Sequence, residues 1–153
     1  MDEFDPFVIN KYGETLLHIV VKKVTDTTPL IVEELLKIGL DPNAQGLNNN
    51  FTPLHYLINY SFVPHPHCKS KDCIHCKEYI DIIKQIIDLL LLYGADINAH
   101  STNKKLRVNK CTDIVSYGMT AYMCGIMSQK DNRILDYLKE KGSTFDHIKK
   151  EYH

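Results

Sequence analysis

The chain has 153 residues, 44% of them hydrophobic, and its 18 basic and 19 acidic side chains leave a formal net charge of −1. That size suits one domain around one core. So balanced a charge excludes the strong positive field of a protein devoted to nucleic acid or an anionic membrane, which leaves protein as the expected partner class.

In chain order, the start Met1-Asp2-Glu3-Phe4-Asp5 is acidic and lacks the basic flank and apolar run of a secretory signal. No apolar stretch reaches the length of a bilayer span, so a soluble chain is expected. The first patterned segment opens with Asn10-Lys11-Tyr12-Gly13-Glu14-Thr15-Leu16-Leu17-His18 and closes with Glu34-Leu35-Leu36-Lys37-Ile38-Gly39-Leu40-Asp41-Pro42-Asn43-Ala44. A second opens with Asn50-Phe51-Thr52-Pro53-Leu54-His55 and closes with Asp88-Leu89-Leu90-Leu91-Leu92-Tyr93-Gly94-Ala95-Asp96-Ile97-Asn98-Ala99. The third is weaker, from Tyr117-Gly118-Met119-Thr120-Ala121-Tyr122 to Leu135-Asp136-Tyr137-Leu138-Lys139-Glu140-Lys141-Gly142. Thr52 can cap a helix with its hydroxyl while Pro53 fills the first helical position, where a missing N–H costs nothing. Gly39, Gly94 and Gly142 each follow an apolar helical run and are expected to end it in the left-handed conformation. Ile82, Ile83, Ile86, Ile87, Leu89, Leu90 and Leu91, around Lys84, Gln85 and Asp88, form the broad apolar surface of a helix covered on two sides.

These three segments resemble the ankyrin repeat, in which Gly-x-Thr-Pro-Leu-His opens an inner helix and Leu-Leu-x-x-Gly-Ala-Asp-x-Asn-Ala ends an outer one. The resemblance implies an all-α ankyrin-repeat solenoid of about three helix-turn-helix repeats with hairpin loops, in a single domain spanning 1–153 with repeats near 10–44, 47–99 and 115–147. It also implies that His18 and His55 are structural, each tying its helix to a neighbouring hairpin. Spacing departs from the pattern: Thr52 lies 42 positions before Gly94, against 24 from Thr15 to Gly39 and 22 from Thr120 to Gly142. Two insertions are therefore expected, near 61–78 and 100–116, and such loops commonly carry specificity.

Ankyrin stacks bind partners through hairpin tips and the open side of their inner helices. By repeat position the resemblance assigns this surface to Lys11, Tyr12, Lys22 and Lys23, then to Asn48, Asn49, Phe51, Asn59 and Tyr60, and finally to Ser116, Tyr117, Met119, Met127 and Ser128. Tyr12, Phe51, Tyr60 and Tyr117 are the expected anchors, since aromatics carry much interface energy; ordinary packing between repeats is the alternative for each.

Five cysteines is an odd number, and a disulfide framework is not expected. The first insertion holds His65, Cys68, Cys73 and Cys76, and the Cys73-x2-Cys76 spacing lets two thiolates chelate one zinc, with His65 and Cys68 as a second pair. A structural zinc competes here with a loop that binds no metal; no cofactor is otherwise required. The second insertion carries Lys104, Lys105, Arg107 and Lys110, which read either as a solvated loop or as a contact for an acidic partner or a phosphate backbone. A zinc-braced nucleic-acid-binding protein or a structural scaffold is thus the rival to a protein-binding module. No Gly-x-Ser-x-Gly turn, phosphate-cradling glycine loop or His-Glu-x-x-His helix is present, and the carboxylates are scattered over outer helices, so no enzyme is expected.

The abundance of Ile, Lys, Asn and Tyr and the irregular repeats look like the ankyrin proteins of poxviruses, with other large DNA viruses and intracellular bacteria as alternatives. That resemblance implies a virulence factor acting in the host cytosol, with the nucleus open. Its partner would be a host protein of innate-immune or cell-death signalling, sequestered or redirected for ubiquitin-dependent degradation. The F-box-like segment with which such proteins recruit a ubiquitin ligase is not visible after Gly142, which suggests a shortened homologue or an N-terminal part.

Overall fold

A computed structural model describes residues 3–47, 50–61, 73–101 and 119–144, and the account below concerns those residues. They form six helices: α1 (Leu16–Val20), α2 (Thr28–Lys37), α3 (Pro53–Tyr60), α4 (Ile74–Leu92), α5 (Ala121–Met127) and α6 (Asn132–Glu140). Among the described residues there is no strand, so the chain is all-α. No helix among them is long and apolar enough to cross a membrane.

Each odd-numbered helix packs on the helix that follows it. Contacts of α1 with α3 and of α3 with α5 make one layer; those of α2 with α4 and of α4 with α6 make the other. The core lies between the layers. Leu17, Leu54, Leu57 and Ile58 fill it from the short-helix layer, and Ile83, Ile86, Ile87, Leu90, Ile134 and Leu138 from the long-helix layer, all fully buried or nearly so. Truncating any one of these leucines to alanine should cost roughly 2–5 kcal/mol, because the lost transfer energy is joined by a cavity.

The short helices start alike. Thr15, Thr52 and Thr120 are extended residues immediately before α1, α3 and α5. The hydroxyl of Thr52 accepts the His55 N–H at 3.5 Å, and that of Thr120 accepts the Met123 N–H at 3.2 Å. The chain reaches these caps through left-handed residues, Gly13 at φ 72° and Asn50 at φ 49°, two positions before the threonine in each case. At Gly13 the need for glycine is also steric, since an added Cβ would stand 2.6 Å from the Leu47 side chain and 2.9 Å from its backbone nitrogen.

The long helices end alike as well. Gly39, Gly94 and Gly142 have φ near 100°, and the following residue donates back over the last turn: Leu40 N–H to Leu35 O at 3.2 Å, Ala95 to Leu90 at 2.9 Å and Ser143 to Leu138 at 2.9 Å. This paired closure satisfies carbonyls that the helix end would otherwise leave open.

One boundary differs from the expected layout. Helix α4 begins at Ile74, inside the segment expected to be an insertion, and its first turns already bury Cys76 and Ile80. Cys73 caps it, its Sγ accepting the Cys76 N–H at 3.3 Å. The second excursion is closed at its base by Ser101 and Met119, through Ser101 N–H to Met119 O at 2.9 Å and Met119 N–H to Ser101 Oγ at 3.0 Å.

Candidate functional site

Two sets of polar groups lock neighbouring helix pairs together. In the first, His18 Nδ1 accepts the Thr15 N–H at 3.0 Å, which leaves the proton on Nε2 to be donated to the Phe51 carbonyl at 2.8 Å. His55 repeats this one pair later, with Nδ1 on the Thr52 N–H at 3.2 Å and Nε2 on the Met119 carbonyl at 2.7 Å. Burial disfavours the charged ring in both, lowering the pKa of His18 and bringing that of His55 down to about 4. A proton on Nδ1 would also face the threonine N–H, which disfavours the charged ring further. Met123 occupies the equivalent place in the third pair.

The second lock joins the same pairs through the C-terminal ends of the long helices. Asn43 donates through Nδ2 to the Gly94 carbonyl at 2.8 Å and accepts the Asp96 N–H at 2.6 Å. Asn98 does the same one pair on, reaching the Gly142 carbonyl at 3.2 Å and the Thr144 N–H at 3.0 Å. Each asparagine therefore satisfies the end of the next long helix.

On the open side of the short-helix layer these locks hold a lysine and tyrosine cluster. Asn10 Oδ1 accepts the N–H groups of Tyr12 and Glu14 at 2.9 and 3.0 Å, which shapes the turn and leaves Tyr12 44% exposed with Lys11 Nζ 5.0 Å from its ring centre. Tyr56 and Tyr60 lie one turn apart on α3, their rings stacked at 5.6 Å and 23°. The Tyr56 hydroxyl donates to Glu14 Oε1 at 2.8 Å, across 42 positions of sequence. Lys22 Nζ is 2.8 Å from the same oxygen and 5.1 and 5.8 Å from the centres of the Tyr56 and Tyr60 rings. Asn10 Nδ2 donates to Glu14 Oε2 at 2.8 Å.

Burial works against the Glu14 charge, but the hydrogen bonds from Lys22, Asn10 and Tyr56 outweigh it and hold the carboxyl down to about 2. The Tyr56 hydroxyl is raised by its burial and by that same carboxylate. Glu14 is thus a fixed negative charge that positions a lysine over two aromatic faces, an arrangement worth about 0.5–1 kcal/mol per ring at a partly exposed site. Tyr60, 48% exposed, is its outward end.

Lys23, Asn59 and Ser128 are exposed on the same layer as Tyr60, and Met127 is half-buried. Phe51 and Met119 require correction. Both lie in the core, Phe51 stacked on the His55 ring at 5.1 Å, and it is their carbonyls that serve the structure by accepting from His18 and His55. A side chain that fills the gap between helix pairs is not available to a partner. Asn48, Asn49, Ser116 and Tyr117 lie outside the described residues, as do the basic residues of the second insertion.

Of the metal candidates, Cys73 and Cys76 meet on the first turn of α4, while His65 and Cys68 lie outside the described residues. Among the described residues no group of three or more His, Cys, Asp or Glu is placed to hold a metal ion. Cys124 is buried and its thiol pushed up to about 12, which makes it inert.

Glu14, Tyr56, Asn43 and Asn98 are the organising residues that local spacing did not single out. The one signal for Glu14 was a carboxylate just before the capping threonine on an otherwise apolar layer. Compared with known proteins, the chain matches no family model and no curated protein sequence.

Proposed function

We propose that the chain is an ankyrin-type protein-binding module without catalytic machinery, whose short-helix layer and the turns before it grip a partner protein. The observation that carries this reading is the recurrence of the histidine and asparagine locks from one helix pair to the next. Such locks fix a stack and leave one continuous face free of structural duty, which is how solenoids use their surfaces. On that face Tyr12 and Tyr60 are half-exposed, held by neighbours, and of the residue type that dominates binding energy. The resemblance to poxviral ankyrin proteins makes a host protein of immune or cell-death signalling the partner we favour.

The test is affinity capture from host lysate with quantitative comparison of three proteins. These are the parent chain, an inner-face variant carrying Tyr12→Ser and Tyr60→Ser, and an outer-face variant carrying Leu30→Ser and Leu92→Ser. The reading requires a partner lost by the first variant and kept by the second. Retention by the inner-face variant would contradict it.

A further inference from the structure

The helices divide by charge as well as by layer. Helices α1, α3 and α5 contain no aspartate, glutamate, lysine or arginine, whereas α2, α4 and α6 carry Glu33, Glu34, Glu78, Asp81, Asp88, Asp136 and Glu140 beside Lys37, Lys77, Lys84, Arg133 and Lys139. Every carboxylate within a helix is therefore in the long-helix layer. On the opposite side Lys11 and Lys23 are exposed, and among the described residues neither forms an ion pair with a carboxylate. Lys22 stands over the Tyr56 and Tyr60 rings on the same side. Glu14, the carboxylate paired with Lys22, is buried and already takes hydrogen bonds from Lys22, Asn10 and Tyr56. It offers the exposed lysines nothing.

From this segregation we infer that the partner presents an acidic segment: aspartate or glutamate side chains that meet Lys11 and Lys23, next to an apolar or aromatic side chain that lies on Tyr60 and Tyr12. The inference rests on the protein-binding reading above and adds the chemistry of the partner. Charge complementarity is the argument for the occupant, since opposite potentials speed encounter and suppress partners of the wrong sign. A peptide is favoured over a nucleic acid because the patch contains few cations, no arginine among them, and a phosphate backbone is recognised by a longer run of them. The outer groove lined by Pro29, Leu30, Glu33, Asp88 and Leu92 has the opposite sign and is the natural control.

Selecting short random peptides displayed on phage against the full chain tests the inference. The selected peptides should be enriched in aspartate and glutamate. Their binding should weaken steeply with added salt and fall about tenfold or more with Lys11→Glu and Lys23→Glu, both exposed changes that leave the thermal midpoint unaltered. Lys37→Glu and Lys77→Glu on the long-helix layer should leave it unchanged. Peptides without acidic enrichment that still lose binding with Tyr60→Ser would overturn the acidic partner while leaving the binding face intact. Binders sensitive only to Leu30→Ser and Leu92→Ser would overturn both. An empty selection, or a single-stranded oligonucleotide that binds more tightly than every selected peptide, overturns the inference as well.

Discussion

Three ionisable side chains set how the chain responds to acid. Glu14, at about 2 when folded, lies below its ordinary 4.5, so its contribution is present above 4.5 and is lost as pH falls from there towards 2. His55 is lowered from 6.5 to about 4, and His18 is lowered in the same direction. The unfolded chain therefore binds more protons than the folded one over that window, and stability falls as pH drops below 6.5. For His55 the full loss is on the order of 3 kcal/mol, reached near pH 4. Urea midpoints should thus decline in two stages, the histidine stage first. Replacing Glu14 with glutamine should cost about 1–3 kcal/mol at pH 7, because Lys22 and Tyr56 lose a charged acceptor. The variant should converge on the parent near pH 2. A gap that stays constant with pH would mean that Glu14 acts through shape and not through charge.

Among elements, the helix ends were the most legible from sequence and the insertions the least. Glycine after an apolar run has a local physical reason, and Gly39, Gly94 and Gly142 adopt the left-handed conformation that this reason requires. An alanine Cβ at Gly94 would meet nothing within 4 Å, so Gly94→Ala should lose only the backbone term, about 1–2 kcal/mol by urea unfolding. Gly125 is the contrasting case. In mid-helix alanine normally stabilises by about 1 kcal/mol, but here its Cβ would come 2.6 Å from Leu135 and 3.0 Å from Ile58. Gly125→Ala should therefore destabilise, and a stabilised variant would show that α5 can shift against α6 without loss. The start of α4 is not legible in the sequence because Cys73 caps it in place of the usual serine or threonine, within a run of Cys and His residues whose spacing also suits a metal. The Glu14 cluster was illegible for a different reason. Its Tyr56 hydrogen bond joins positions 42 apart, and no local period encodes such a contact.

At the scale of the molecule, the three helix pairs of the described residues contact only their neighbours, and His18, His55, Asn43 and Asn98 are among the groups that join them. Their stacking produces a long-helix layer that carries the helical carboxylates and a short-helix layer with none, edged by lysines and half-exposed tyrosines. The proposed function depends on this two-sidedness, because a partner must find one face chemically distinct from the other. Amide hydrogen exchange of the full chain, free and saturated with its captured partner or with a selected acidic peptide, tests that most directly. The account predicts new protection in the turn around Lys11 and Tyr12, in the end of α1 through Lys23 and in the end of α3, with α2, α4 and α6 unchanged. Protection confined to the long-helix layer would contradict it.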